Sequence, residues 1–388
     1  MINQMSQNEN TKNQFSNAIK KLQVGKLLRK ANITKSCGIS AYEVFQFLPL
    51  LVFQGKNLFR FLNSKRKELA VSKNTYYRFL NDTSFNWARF LSLLSAKVAS
   101  RFSALTRPER VKVLVLDDSM VKRNRSKAVE LLARVYDHVE HKYQIQRALA
   151  AGIQADYVLM DTWFTTEPML AKILETGLDV IGMVKQLKQR YSYQGRLYTL
   201  PELRRFVRFD NGRNIFGSVV ASTKTGIPVK VVIVRNRNKK SECLYLLSTD
   251  CSLSDSEIVR IYGNRWSIEC FFKASKSFLK LGTEFQSRTY DAMVSHTTIV
   301  FTRYIILEWI RRKENDEKTC GELFFMFCDD IQDMDLANAL QSLMALFVEQ
   351  FSAFAADITA CIKSKVTEWI SPQAAFIQAL FENICWES

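Results

Sequence analysis

The chain has 388 residues, enough for two or three domains with cores of their own. It carries a net charge of +17, three histidines and eight scattered cysteines with no CxxC pair, and its most apolar stretch, near 297–310, contains Arg303 and Glu308. These features exclude a disulfide-stapled secreted module, a His-based metal site and a membrane span, and they lead us to expect buried thiols in a reducing cytoplasm.

The charge is unevenly spread. Residues 315–388 hold three Lys and Arg against twelve Asp and Glu, whereas residues 1–105 hold 17 basic and 4 acidic residues. The basic excess favours a polyanionic partner, because cations released from phosphates drive such binding. The plainer alternative is a basic but inert surface. The first 36 residues are polar and basic and are not expected to be a signal peptide.

Residues 1–105 read as a helical domain. Ser40 and Glu43 form a capping box that opens an apolar run, Tyr42 to Leu62, which Pro49 is expected to kink. Ser72 caps a short helix through Leu80, and a third helix after Ser84 carries Trp87, Phe90, Leu91, Leu94 and Val98 at helical spacing. Lys65, Arg66, Lys67, Lys73 and Arg78 cluster at one junction, which fits either a helix-turn-helix-like DNA reader or a plain bundle with a basic loop.

From 106 the pattern becomes α/β. Val111–Leu116 and Tyr157–Met160 are short apolar runs ending at Asp117-Asp118-Ser119 and Asp161, and Val180–Val184 is a third. A helix from Pro168 to Gly177 lies between the second and third runs. Residues 106–185 thus form the first part of a core. Residues 186–250 read as a β-rich insertion with strands at Phe216–Ser222, Val229–Val234 and Leu244–Leu247. Residues 251–314 return to helix, and 315–388 form an acidic helical region.

Three carboxylates stand out. Asp117 and Asp161 follow buried strands, where an α/β sheet presents its ligand-binding edge. Glu269 is expected on a helix that starts at the Ser254–Glu257 capping box and stops at Gly282, with Gly263 as a candidate break. Arg265, Lys273 and Lys276 share its face, and Tyr262 joins them if Gly263 leaves the helix intact. Carboxylates are hard ligands that can hold two Mg²⁺ ions for in-line phosphoryl displacement. The ordinary alternative is that Arg265 and Glu269 are a surface i,i+4 pair.

The spacing Y-x2-R-x3-E-x6-K, at Tyr262, Arg265, Glu269 and Lys276, resembles the YREK signature of bacterial insertion-sequence transposases of the insertion-sequence-four type. The similarity runs through Val111–Lys127, Ala155–Tyr191 and Ile258–Arg312. It implies an α/β, RNase H-like catalytic core with a β-rich insertion, a helical N-terminal DNA-binding domain and a helical C-terminal tail. It also implies a DDE enzyme that cuts DNA at terminal inverted repeats and rejoins it by cut-and-paste transposition.

Carried over by position, Asp117, Asp161 and Glu269 would be the catalytic metal ligands for two Mg²⁺ ions, with Mn²⁺ as a substitute. Asp118 is the alternative first ligand. Tyr262, Arg265 and Lys276 would contact phosphates of the transposon end, and Lys273, from its place on the same helical face, could hold a phosphate beside them. Trp266 and Trp163 are expected to pack in a core, the alternative being to stack on an unpaired base. The implied partners are double-stranded DNA, as transposon ends and target, and a second copy in a synaptic homodimer. The C-terminal helices, with Phe324, Phe325, Phe327, Leu346, Phe347, Phe351 and Phe354, are the expected dimer contact. The implied location is the cytoplasm, on the nucleoid when bound to DNA.

One interval departs from the family. An RNase H-like sheet places its aspartates on strands one and four, so two strands must fit in the 43 residues between Asp117 and Asp161. Val129–Tyr136 and Gln144–Gly152 read as helix, which leaves about a dozen residues for two strands of about five residues each plus a turn. The reading is therefore an internal deletion after His138 that opens the edge of the first strand and lets Asp117 drift from Asp161. On that account the chain is either a transposase, inactivated or still working, or a non-catalytic DNA-binding remnant that represses its relatives.

Overall fold

The computed structural model describes residues 14–64, 72–104, 107, 110–118, 138–187, 189–207, 214–236, 239, 242–284, 289–314, 317–331 and a few positions between 361 and 372. The chain forms two compact units: Met1–Phe85 with Phe278–Gln286 and Asp291–Ser388, and Asn86–Ser277 with Ser287–Tyr290.

The first unit is helical. Residues 14–21 are helix, followed by α1 (Val24–Lys30), α2 (Ala41–Phe47), α3 (Leu58–Ser64) and α4 (Lys73–Leu80). The Ser40 box caps α2: Ser40 Oγ accepts from the Glu43 N–H at 3.2 Å, and Glu43 Oε2 accepts from the Ser40 N–H at 2.9 Å. Pro49 does not kink an α-helix; it lies in a 3-10 turn, Leu48–Val52, that ends α2 outright. Such a turn needs no hydrogen bond from the missing proline N–H.

The long helix that begins at Tyr290 and ends at Glu314 carries Arg303, which is 1% exposed. Its guanidinium donates to the carbonyls of Pro49 at 2.9 Å, Leu48 at 2.8 Å and Leu279 at 3.3 Å, and to the Glu284 carboxylate. A buried cation needs such complete pairing. Lys65, Arg66 and Lys67, and Leu346, Phe347, Phe351 and Phe354, lie outside the described residues.

The second unit holds the sheet. After α5 (Trp87–Ser103) come β1 (Val113–Leu116), α6 (His138–Ala150), β2 (Tyr157–Met160), α7 (Glu167–Leu174) and β3 (Asp179–Val184). Then follow β4 (Tyr191–Tyr193), β5 (Arg196–Tyr198), α8 (Leu200–Leu203), β6 (Ile215–Ser222), β7 (Pro228–Arg235), β8 (Cys243–Ser248), α9 (Asp255–Gly263) and α10 (Trp266–Ser277). The eight strands form one sheet in the order β1-β2-β3-β8-β7-β6-β4-β5. β1, β2 and β3 run parallel and the rest pair antiparallel.

Both faces of the sheet are covered, which is why the strands read as unbroken apolar runs. Val158, Met160, Val180 and Val184 pack with Met169, Leu170 and Ile173 of α7 on one face. Leu159, Ile181, Val232 and Leu246 pack with Ile258 and Ile261 of α9 on the other. The mixed α/β architecture is compatible with an RNase H-like DDE domain.

The interval between the aspartates is only partly described. Residues 119–137 lie outside the described set, and α6 begins at His138, so residues 138–143 are helix. Among the described residues β1 ends the sheet. The expected drift of Asp117 does not occur. Leu116 stands opposite Met160 in parallel register, and the two aspartates follow directly.

Seven cysteines are described as free thiols, of which Cys243 is buried and Cys37, Cys270 and Cys361 are exposed. The expectation of buried thiols therefore fails for those three. Among the described residues no helix is long and apolar enough to cross a membrane.

Candidate active site

Side-chain alternation sorts the two neighbouring aspartates. Leu116 and Met160 face the α7 layer, so the next residues, Asp117 and Asp161, turn toward the face that α9 covers. Asp118 falls on the opposite side and is exposed. Asp117 Oδ1 accepts from the Asp118 N–H at 2.9 Å, and its Oδ2 accepts from Arg265 Nη1 at 2.9 Å. Asp161 Oδ1 accepts from the N–H groups of Trp163 at 2.8 Å and Phe164 at 3.3 Å, a local turn that fixes its carboxylate.

A second contact fixes Asp161 from behind, and sequence reasoning missed it. Thr165 is 4% exposed and its Oγ1 donates to the Asp161 carbonyl at 2.6 Å. Gly182 on β3 pairs with Met160 on β2, and a Cβ added there would overlap the Thr165 side chain. The glycine makes room for the threonine. The Asp-x3-Thr spacing was the only sequence trace of this device.

The helix expected between Ser254 and Gly282 does break after Gly263, into two helices. α9 ends at Gly263, and Asn264 and Arg265 form a turn before α10 begins at Trp266. The Arg265 N–H bonds to the Tyr262 carbonyl at 2.9 Å, and the Ile268 N–H bonds to the Arg265 carbonyl at 3.1 Å. These i,i+3 bonds tighten the chain at the junction. Tyr262 therefore packs with the α9 layer and does not continue the face of α10.

Arg265 still reaches Glu269, with Nη2 donating to Oε1 at 3.1 Å. One guanidinium thus spans Glu269 and Asp117, the latter 148 positions from Arg265 in the chain. Its side chain is 18% exposed against 12% for Asp117 and 45% for Glu269. Lys273 and Lys276 are exposed on α10, with Lys276 Nζ 5.8 Å from the Phe272 ring centre.

The electrostatics follow from this packing. Burial pushes the Asp117 carboxyl above its usual range, opposed by the Asp118 N–H and Arg265 and reinforced by Asp161 and Glu269. Burial likewise pushes the Tyr262 hydroxyl up to about 12, partly offset by Arg265. Arg265 is held above its ordinary value despite burial, through Tyr262, Glu269 and Asp117. Asp117, Tyr262 and Arg265 are therefore electrostatically linked at one end of the sheet.

The tryptophans depart from expectation. Trp163 is 44% exposed and Trp266 69% exposed, so neither fills a core. Lys185 Nζ lies 5.3 Å from the centre of the Trp163 ring.

A sheet edge with paired aspartates and a facing glutamate is chemistry suited to phosphoryl transfer. Residues 114–306 match the family model of the transposase DDE domain. Those residues are similar to a transposase DDE domain over a span that holds both aspartates and the helix with Glu269. No curated protein matches the chain.

Transposases of this class generally use divalent metal ions, and Asp117, Asp161 and Glu269 supply the hard oxygen donors such ions take. Their placement does not fit an ion. Among the described residues no three His, Cys, Asp or Glu side chains gather closely enough to hold one. Arg265 instead bridges two of the three carboxylates.

Proposed function

We propose that the chain is a cut-and-paste transposase of the insertion-sequence-four type. It would hydrolyse phosphodiester bonds at terminal inverted repeats and join the freed 3′-hydroxyl to target DNA. The observation that carries this reading is the register of Leu116 with Met160, which sets Asp117 beside Asp161, together with the Arg265 bridge to Glu269. The resemblance assigns two Mg²⁺ ions to the reaction, with Mn²⁺ as a substitute.

The chain's own residues have separable parts in this reading. Asp117, Asp161 and Glu269 hold the charge around the scissile phosphate. Arg265, Lys273 and Lys276, with the protonated Tyr262 hydroxyl, bind phosphates of the element's end. Exposed Trp163 and Trp266 offer faces on which an unpaired base stacks. The basic N-terminal helices of residues 1–105 supply further DNA contacts, and a second copy completes the synaptic complex through the C-terminal helices.

One observation favours a second reading, a DNA-binding protein without catalysis: the carboxylates do not gather around an ion position among the described residues. Incubation with Mg²⁺ and DNA bearing the gene's flanking repeats separates the two. Nicking that is lost in Glu269→Ala supports the transposase, and binding without cleavage by either protein supports the remnant.

A further inference from the structure

We infer that Tyr157 is a positioning residue for the carboxylate site: its hydroxyl fixes where α9 begins, and thereby where Arg265 meets Asp117. The inference rests on the transposase reading of that site. Tyr157 OH donates to Asp250 Oδ2 at 2.9 Å, across 93 positions of the chain. Asp250 lies in the connector between β8 and α9. Its other oxygen accepts from the Ser252 N–H at 2.9 Å and the Ser252 hydroxyl at 2.6 Å. Burial, and then Asp250, push the Tyr157 hydroxyl above its ordinary range, so it stays a donor at neutral pH.

β2 and α9 form the long sides of a closed frame. Tyr157 opens β2 and faces the α9 layer, and Asp161, four residues on, points to the same face about 13 Å further along the strand. α9 runs nine residues, Asp255–Gly263, which is again about 13 Å. The Tyr157–Asp250 bond closes the frame at one end, and the Asp117–Arg265 bond closes it at the other.

Apolar packing alone does not set the length of travel. Ile258 and Ile261 press α9 onto Leu159, Ile181, Val232 and Leu246, but such contacts are non-directional and resist separation more than sliding. Lys230 on β7 pins the helix start through the Leu253 carbonyl at 2.7 Å and Asp255 at 3.0 Å. The Tyr157 bond ties it to the strand that leads to Asp161. A slip at the start of α9 is carried along the helix to Arg265, and a misplacement of about 1 Å can cost about a hundredfold in rate.

The test is Tyr157→Phe, which keeps the ring and removes the hydroxyl. In single-turnover cleavage of end-bearing DNA in Mg²⁺, its rate constant should fall at least about tenfold, with the Kd for the same DNA unchanged. Without DNA, amide hydrogen exchange at residues 264–268 should quicken, because the Arg265 and Ile268 N–H bonds lie at the far end of the frame. Asp250→Asn keeps a hydrogen-bonding group opposite the hydroxyl and should match wild type. Asp250→Ala should match Tyr157→Phe, and it is read by the same criteria should Tyr157→Phe fail to fold. Wild-type rate and exchange in folded Tyr157→Phe overturn the inference. So does a loss of DNA affinity equal to the loss of rate, which marks general loosening. If wild type does not cleave, the transposase reading falls, and exchange at 264–268 alone decides for or against the clamp.

Discussion

Gly182 and Thr165 occupy the space of one ordinary side chain pair: the glycine has no Cβ where the threonine stands against β3. Thr165 in turn holds the Asp161 carbonyl at 2.6 Å. Gly182→Ala should displace Thr165, destabilise the domain by about 1–3 kcal/mol as overpacked cores do, and cut DNA cleavage more than DNA binding. Thr165→Val keeps the shape and removes only the hydrogen bond, so about 1 kcal/mol is expected. Chemical denaturation with parallel cleavage assays decides the matter; a silent Gly182→Ala would contradict the packing account.

The Asp117 carboxyl is pushed above its usual range, first by burial and then by Asp161 and Glu269. A raised acid binds its proton more tightly in the folded chain than in the unfolded one. Its contribution to stability is therefore fully present below the ordinary carboxylate value of about 3.9 and is lost as pH rises through the folded value. Asp117→Asn does not titrate, so its stability relative to wild type should climb over that interval and then level off. Melting temperatures of both proteins across acidic and neutral pH check this. A relative gain by wild type as pH rises would reverse the sign.

Arg303 is buried among three carbonyls and the Glu284 carboxylate. Removing one partner of a buried pair strands the other, at about 3–5 kcal/mol. Glu284→Gln should therefore unfold the helical unit at markedly lower denaturant, as circular dichroism would show. A change within experimental scatter would mean that the pair is solvated.

Lys276 lies exposed on α10 and has no carboxylate partner among the ion pairs of the described residues. Lys276→Ala should weaken binding to end-bearing DNA and lower the slope of log affinity against log salt by about one. An unchanged slope would remove Lys276 from the phosphate contacts.

Much of this architecture is legible in the sequence because burial on both faces writes strands as apolar runs; Tyr157–Met160 is the plainest case. The hairpin of β4 and β5 is not legible. Each strand has only three residues, and its turn uses Gln194 and Gly195 with φ of 49° and 76°, where glutamine is a weak signal. The three carboxylates announce themselves through their strand ends and the spacing around Glu269. The break at Asn264 and Arg265 is marked only by the preceding Gly263, because Asn264 keeps near-helical angles and no proline stands at the site. The Arg265–Asp117 bridge and the Gly182–Thr165 fit depend on strand register and helix placement, which pairs of residues distant in sequence do not encode locally.

The central claim is that Asp117, and not its neighbour Asp118, joins Asp161 and Glu269 in one phosphoryl-transfer site. The most direct test is the rate at which new 3′-hydroxyl ends appear on DNA bearing the flanking repeats, in Mg²⁺, with wild type, Asp117→Asn and Asp118→Asn. The account predicts a loss of at least about a hundredfold in Asp117→Asn, the scale of losing a main electrostatic element, with most activity retained in Asp118→Asn. Retained cleavage in Asp117→Asn, or loss confined to Asp118→Asn, would contradict it.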